Sequence, residues 1–243
     1  MMILGTLVNG CGILIGGAVG GLGKRPIPPS TQGNLRTGLG LVAVFMAMHL
    51  CWTHFGGGFT ATLRQFVILM GAMTLGRITG LSLGLQRASN HLGRVAAGHL
   101  NAAARGGKPG FTEGFLTCSI LFCVAPMSLL GPVQEALGGD CRILLLKALV
   151  DGISVAAFVA TFGPGVLWSL LPVVAWQGSL TLLARLALPW LQGHSLVDPV
   201  MATVGMLLFC VSFLMLEIRR VAVADYLPSL LFAPAIAWFW RWG

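Results

Sequence analysis

Apolar segments of about twenty residues recur along almost the whole of this 243-residue chain. The hydrocarbon core of a bilayer is about 30 Å thick, and a helix needs roughly 20 apolar residues to cross it. We predict eight such spans, at approximately 2–22, 36–53, 62–85, 111–136, 142–162, 165–188, 198–217 and 225–241. They use most of the chain, so residues 1–243 are expected to form one integral membrane domain without a soluble catalytic domain.

Composition supports this reading. Hydrophobic residues make up 56% of the chain and charged residues only 9%, whereas a soluble domain carries about 25% charged residues. The first span has no positive charge before it, and Lys24 and Arg25 follow it, so it is expected to be a mature helix rather than a signal peptide. The predicted fold class is an all-α polytopic transmembrane helical bundle.

The net charge of +8 is explained by membrane topology, and no nucleic-acid partner is expected. Positive charge concentrates in the connections after spans one, three and seven, which marks these connections as cytoplasmic and places both termini outside an inner membrane. The basic residues on the predicted cytoplasmic side are Lys24, Arg25, Arg36, Arg87, Arg94, Arg105, Lys108, Arg219 and Arg220. The other side has Arg64 and Arg142 in its connections and Arg185 near the end of a span.

The longest connection, 86–110, predicts an amphipathic helix on the cytoplasmic membrane surface. Its apolar residues Leu92, Val95, Ala96 and Leu100 fall at helical spacing, with Arg and His between them. The sequence Gly-Gly-Lys-Pro-Gly then ends the helix.

A weak internal repeat lays residues 37–50 on 203–216, and it lays the Gly12 region of span one on the Gly178 region of span six. Spans one and six cross in opposite directions, so the repeat predicts two inverted three-helix units that flank two central helices. Secondary transporters and some channels have this architecture, with substrate sites near the midplane. The alternative is that any two halves of a polytopic protein share similar hydropathy.

Small and sulfur-containing residues are expected to serve packing. Gly12, Gly16 and Gly20 share one face of span one, which favours close approach of a neighbouring helix, although a pore wall of bare backbone is the alternative. The six cysteines have no metal-binding spacing. No metal and no cofactor are therefore expected.

Two amides lie beside glycines in equivalent parts of the repeat, Asn9 in span one and Gln177 in span six. They either pair across a helix interface or coordinate an ion through their carbonyl oxygens. Glu113 opens span four, where the helix dipole favours a carboxylate. It either caps the helix or begins a polar stripe that continues with Thr117.

The segment LLLKALVDGISV, 144–155, places Lys147 and Asp151 one turn apart in span five. If the span begins near residue 142, Asp151 lies roughly 13 Å inside the membrane, where a carboxylate costs about 2.5–3.5 kcal/mol. Two hypotheses remain open. Either Lys147 and Asp151 form a structural ion pair, or Asp151, Gly152 and Ser154 line a hydrated cavity that binds a cation or proton. Arg77 in span three either snorkels or acts as a counter-ion to Asp151 or Glu113.

The sequence resembles a bacterial inner-membrane family of unknown function, the YdfK/YqgA family, over nearly its whole length. The resemblance is carried by GTLVNGCGILIGGAVGGLGKR, FTEGFLTCSILFCVAPMSLLG, GGDCRILLLKALVDG, PVVAWQGSLTLLARL and DYLPSLLFAP. It implies that the family's polar positions correspond to Asn9, Glu113, Asp140, Lys147, Asp151 and Gln177. The chain departs from the pattern at Arg77, where an acidic residue is expected, and at 125–126.

These patterns favour a membrane transporter or channel for a small ion or solute. The predicted site residues are Asn9, Glu113, Thr117, Lys147, Asp151, Ser154 and Gln177. The alternative function is a non-transporting scaffold or assembly protein with a structural Lys147/Asp151 pair. No catalytic motif is visible, so an enzyme is not expected. The predicted partners are the lipid bilayer, a small cation or proton, and a second copy in a homo-oligomer.

The two hypotheses differ in what Asp151→Asn does. The sequence favours the transport hypothesis, so we predict that the variant keeps near-normal stability and loses ion flux, and that adding Lys147→Met does not restore the flux. The scaffold hypothesis expects it to be destabilised, and it expects Lys147→Met to recover the loss.

The charge distribution predicts that residue 99 faces the cytoplasm. A cysteine introduced at this position, in a background without native cysteines, should react with an impermeant maleimide only after the cells are opened. Rapid labelling in intact cells would invert the topology.

Overall fold

The computed structural model describes residues 3–22, 28–104 and 111–240, and every regular element in these ranges is helical. The helices are α1 (Leu4–Leu22), α2 (Pro29–His54), α3 (Phe59–Leu83), α4 (Leu85–Ala104), α5 (Phe111–Val124), α6 (Met127–Gly138), α7 (Arg142–Phe162), α8 (Leu170–Gly193), α9 (Val197–Met215), α10 (Val223–Tyr226) and α11 (Ser229–Phe239). A 3-10 turn, Gly163–Ser169, joins α7 to α8. The predicted class, an all-α membrane helical bundle, is confirmed.

The spans differ from their predicted form in three places. Span four is broken into α5 and α6, which meet at an angle of 54° around Ala125 and Pro126. Span six begins with the 3-10 turn, and span eight is divided into α10 and the short α11. By length and composition, five helical segments of the described chain can cross a membrane, or six if the bent pair is one span.

One of those segments, 142–193, is 52 residues long and folds back on itself at the 3-10 turn. Contacts with α1 show the reversal. Successive residues of α1 meet later residues of α7, because Gly12 lies against Ala148 and Gly20 against Ala156. The order is opposite for α8, since Gly17 lies against Leu167 and Asn9 bonds Gln177. Residues 142–193 therefore form a helical hairpin, and both of its arms contact α1.

The first three helices each pack antiparallel against a helix of the C-terminal third. Helix α1 pairs with α8, α2 pairs with α9, and α3 pairs with the α10–α11 segment. In α2 and α9, Arg36 bonds Glu217 at one end and His54 bonds Asp198 at the other. In the third pair, Gly80 lies against Asp225 and Gly71 against Ile236. An inverted repeat requires equivalent helices to run in opposite directions, so the antiparallel order of the three pairs supports the predicted repeat.

The basic residues divide between the two ends of the bundle as the topology predicts. Arg36, Arg94, Arg219 and Arg220 line one cavity mouth. Arg142 lies at the opposite end of the bundle, beside His54. The predicted cytoplasmic residues Lys24, Arg25, Arg105 and Lys108 lie outside the described residues. We refer to the end with Arg36 as the basic end and to the end with Arg142 as the opposite end.

The amphipathic connection forms α4, which packs against α5. Ala96 is fully buried, and Leu100 packs on the core around Cys118 and Phe122. Leu92 and Val95 remain exposed. Half of the predicted apolar stripe therefore contacts the protein, and the other half is free to contact the membrane surface.

The glycine face of α1 packs directly on the backbone of α7. A Cβ atom at Gly12 would stand 2.6 Å from the carbonyl oxygen of Ala148, and one at Gly16 or Gly20 would overlap the carbonyl of Gly152 or Ala156. On α7 the facing residues 148, 152 and 156 are also small and also four apart. Both helices thus carry a small-xxx-small pattern, and the predicted packing role is confirmed.

Gly16→Leu should lower the stability of the protein by about 3 kcal/mol, because its side chain has no space beside the Gly152 carbonyl. For a chain of this size the loss corresponds to roughly 6–12 °C in the melting temperature in detergent. Gly178→Leu is the matched control, since a side chain there meets nothing within 4 Å. Equal melting temperatures for the two variants would contradict the packing.

Candidate functional site

A buried ion pair lies at the centre of the bundle. The Lys147 ammonium donates to Asp151 Oδ2 at 2.5 Å, and the two residues are only 1% and 3% exposed. Spacing of four residues on α7 places both side chains on one face. Asn9 of α1 donates its Nδ2 to the same carboxylate oxygen at 3.2 Å. Lys147 also lies over the Phe122 ring, at 5.8 Å from its centre.

Amide groups extend this pair into a polar network between four helices. Asn9 Nδ2 also donates to Gln177 Oε1 at 3.2 Å, and Gln177 Nε2 donates to Ser128 Oγ at 3.4 Å. The orientation of the Asn9 amide follows from its partners, because both are acceptors and only the NH₂ group can donate to them. Its carbonyl oxygen, Oδ1, has no partner. The predicted pairing of Asn9 with Gln177 is therefore present.

Sequence reasoning missed Glu135 of α6, which is 3% exposed. Its Oε1 accepts the backbone N–H of Gly5, in the first turn of α1, at 2.7 Å, while its Oε2 has no partner. The helix terminus stabilises this carboxylate by at most about 2 kcal/mol, and its second oxygen is left without a donor among the described residues. Glu135 forms no ion pair with any described residue.

Glu135 and its neighbour Gln134 close the opposite end of the bundle. Gln134 Oε1 accepts the backbone N–H of Ile143 at 2.9 Å, which ties α6 to the start of α7. Burial and the nearby carboxylates of Glu135 and Asp140 raise the pKa of the Cys141 thiol, which lies in the connection between these helices. A small cavity of about 180 Å³ at this end is lined by Gln134, Asp140 and Arg142, and it does not reach Asp151.

The basic end is open by comparison. A cavity of about 800 Å³ runs from Arg36 and Glu217 to Asp151, with Ser154 and Phe158 on its wall. The predicted lining by Asp151 and Ser154 is thus present, whereas Gly152 faces α1 instead. The hydroxyl of Ser154 donates to Val150 O of its own helix. It places no polar hydrogen in the cavity.

A second cavity, of about 1160 Å³, adjoins the first and shares Arg36 and Glu217 with it. We call it the vestibule, defined by Arg36, Arg94, Arg219 and Arg220. Glu217 is the only acidic residue among its described lining residues, and its carboxylate is 3.0 Å from Arg36. The vestibule therefore carries a net positive charge.

Three residues considered from the sequence lie outside this network. Glu113 is exposed in the first turn of α5, where the helix dipole favours a carboxylate. Thr117 is buried, but it contacts His99 of α4 at 3.3 Å, so the expected polar stripe from Glu113 does not lead to Asp151. Arg77 stacks on the Tyr226 ring at 5.6 Å and forms no described ion pair, so it is not the counter-ion of Asp151 or Glu113.

Within the described ranges, His, Cys, Asp and Glu do not assemble in groups of three that could hold a metal ion. The missed residues Ser128 and Glu135 stand in a stretch that reads as an apolar span. The signal that could have found Glu135 is the PVQEALGG segment, where two polar residues precede a glycine turn.

These observations define a helical integral membrane protein whose core holds a charged, hydrogen-bonded cluster open toward one end. The chain belongs to the family described as "Protein of unknown function (DUF554)", whose model matches residues 4–238.

Two curated relatives span nearly the same length. The chain is 28% identical over 234 residues to "Uncharacterized membrane protein YdfK" of Bacillus subtilis (strain 168), covering 96% of this chain and 95% of the relative. It is 24% identical over 241 residues to "Uncharacterized protein YqgA" of Escherichia coli (strain K12), covering 98% of each. No solved structure matches. The resemblance seen in the sequence is therefore confirmed, together with the membrane assignment.

The sequence favoured a stable Asp151→Asn variant, but the buried Lys147–Asp151 pair predicts a destabilised one, whether the protein is a transporter or a scaffold. The variant should lose about 3–5 kcal/mol of stability, because a buried ammonium loses its counter-charge. The double variant Lys147→Met/Asp151→Asn should recover most of this loss. Asp198→Asn, at an exposed pair with His54, is the control and should have little effect. Unfolding in detergent measures all four proteins. A single variant as stable as the wild type would show that Lys147 has another partner.

Proposed function

We propose that the protein is a transporter or channel of the bacterial inner membrane, and not an enzyme, which moves a small ion or solute through the cavity that ends at Asp151. The observation that carries the proposal is the asymmetry of this cavity. It connects the buried polar network to the basic end, while Gln134 and Glu135 close the opposite end. A carrier that has opened to one side has this form, and the antiparallel pairing of the helices fits the inverted repeats of such carriers.

The charged residues along the cavity indicate the sign of the charge on the solute. Asp151 is engaged by Lys147 and Asn9, so a cation or proton could bind there only after the ammonium moved away. The four arginines of the vestibule raise the local concentration of anions and lower that of cations. An anionic solute at the basic end therefore fits the path better than a metal cation does.

A non-transporting scaffold is the second candidate, and the buried ion pair favours it. The Lys147–Asp151 pair is satisfied within the bundle, as a purely structural pair would be. In this case the bilayer and other proteins, including a second copy of the chain, would be the partners, and the cavity would have no substrate.

Blocking the cavity separates the two functions without breaking the ion pair. Ser154→Phe fills the cavity wall, and Leu149→Phe is the matched control because Leu149 is exposed on the outer surface of α7. Purified protein in liposomes is tested with a panel of ion gradients and small labelled anions. We expect wild type and Leu149→Phe to move a solute, and Ser154→Phe to reduce the rate at least about tenfold.

Equal melting temperatures must first show that both variants are folded. If folded wild-type protein moves no member of the panel faster than empty liposomes do, the scaffold is favoured. If Ser154→Phe transports as well as the control, the cavity is not the route.

A further inference from the structure

Three buried oxygen atoms without hydrogen-bond partners among the described residues lie near the first turns of α1, at the end of the bundle opposite the vestibule. They are Thr6 Oγ1, Asn9 Oδ1 and Glu135 Oε2. Thr6 and Asn9 are completely buried, and Glu135 is 3% exposed. Such groups in a protein interior almost always have a partner, so three in one region need an explanation.

Helix geometry places these oxygens in the same neighbourhood. Thr6 and Asn9 are three residues apart on α1, so their side chains lie on one face about one turn apart. Glu135 reaches the same turns, because its Oε1 accepts the Gly5 N–H at 2.7 Å. The second oxygen of the same carboxylate is necessarily close to this part of α1. Asn9 Nδ2 already donates to Asp151 and Gln177. The Thr6 hydroxyl is the remaining donor within the group, and it has no hydrogen-bond partner among the described residues.

The charge of Glu135 has no counter-charge among the described residues. Lys147 is paired with Asp151, and Arg142 is paired with Asp140. Arg185, on the face of α8 that carries Gln177 and Thr181, has a buried Nε without a partner, yet it forms no ion pair with Glu135. The other titratable groups on the helices packed against α6 are Cys11, Glu113, Cys118, Cys123, Cys141, Asp198 and Cys210. They supply no cation.

We propose that Thr6, Asn9 and Glu135 form a binding site for a dehydrated sodium ion. A hydroxyl, an amide carbonyl and a carboxylate are oxygen ligands of the kind that hard cations prefer. One carboxylate balances one positive charge, and the described residues offer no group of three acidic, His or Cys side chains for a divalent or transition metal. The ion would supply the counter-charge of Glu135 and the missing partner of all three oxygens.

The position of the site suits a coupling ion, and this role rests on the proposed function. Glu135 lies three residues before the end of α6, at the end of the bundle opposite the vestibule. Sodium would enter from that end, while an anionic solute would approach from the basic end or be released there. Asn9 lies one turn of α1 after Gly5, which bonds Glu135, and it donates to Asp151. It therefore links the sodium site to the solute path. Sodium is thus assigned as the coupling ion of the transporter.

The test is binding of radioactive sodium to purified wild-type protein in detergent, competed with unlabelled sodium, potassium and choline chloride. We expect saturable binding that sodium displaces and choline does not. Glu135→Gln keeps an acceptor for the Gly5 N–H but removes the charge, and it should weaken binding at least about tenfold. Thr6→Val removes one ligand at nearly constant shape and should weaken binding less. Asp198→Asn, an exposed carboxylate at the same end, is the control and should bind as the wild type does.

Each result decides the assignment. Loss of binding in folded Glu135→Gln, with weakened binding in Thr6→Val, supports the site. Absence of saturable sodium binding in the wild type overturns it, as does unchanged affinity in both variants. A wild-type melting temperature that depends on pH but not on sodium, with this dependence lost in Glu135→Gln, would assign a proton to the site. This result would also overturn the sodium assignment. The measurement needs no transport, so it is independent of the liposome experiment on Ser154→Phe.

Discussion

The backbone contact between α1 and α7 is the interaction on which the centre of this protein depends. Glycines on α1 and small residues on α7 let the two helices approach until backbone atoms touch. In a bilayer the hydrophobic effect does not drive helices together, so close packing and hydrogen bonds must do so. This approach brings the Asn9 amide within hydrogen-bond distance of the Asp151 carboxylate. The same contact therefore holds the bundle together and completes the partners of a buried charge.

The two buried carboxylates of the bundle, Asp151 and Glu135, have different partners. On the basic side, Asp151 has an ammonium and an amide as partners, and a cavity reaches it. On the opposite side, Glu135 has one backbone N–H and no ion pair in the described part of the chain. The bundle thus places one carboxylate with an ammonium partner and one without an ion pair in the described structure about one turn of α1 apart.

The broken span α5–α6 is the element that closes the opposite end. Helix α6 begins after Pro126 and contains Pro132, and prolines remove backbone hydrogen bonds from a helix. It also carries Ser128, Gln134 and Glu135, which bond α8, α7 and α1 respectively. Most residues of α6 are buried, so this short helix is held by packing as well as by its three polar side chains. Discontinuous helices form the substrate sites of many carriers.

The sequence by itself determined the features that depend on local spacing. Apolar length predicted a membrane protein of several helices, although not how many of them span the membrane. The spacing of four residues joined Lys147 to Asp151, and the repeated glycines of α1 marked a packing face. The internal repeat also brought Asn9 and Gln177 into correspondence. These inferences hold because the geometry of a single helix decides which side chains share a face.

Only the tertiary structure decided which neighbours each helix face contacts. It directed Thr117 toward His99 rather than Asp151, exposed Glu113, and buried Glu135 in a segment that reads as an ordinary apolar span. It also decided that the cavity opens toward the arginines. The rotation and tilt of a membrane helix are set by its packing against neighbours. Residues far apart in the chain contribute to that packing, so no local pattern contains it.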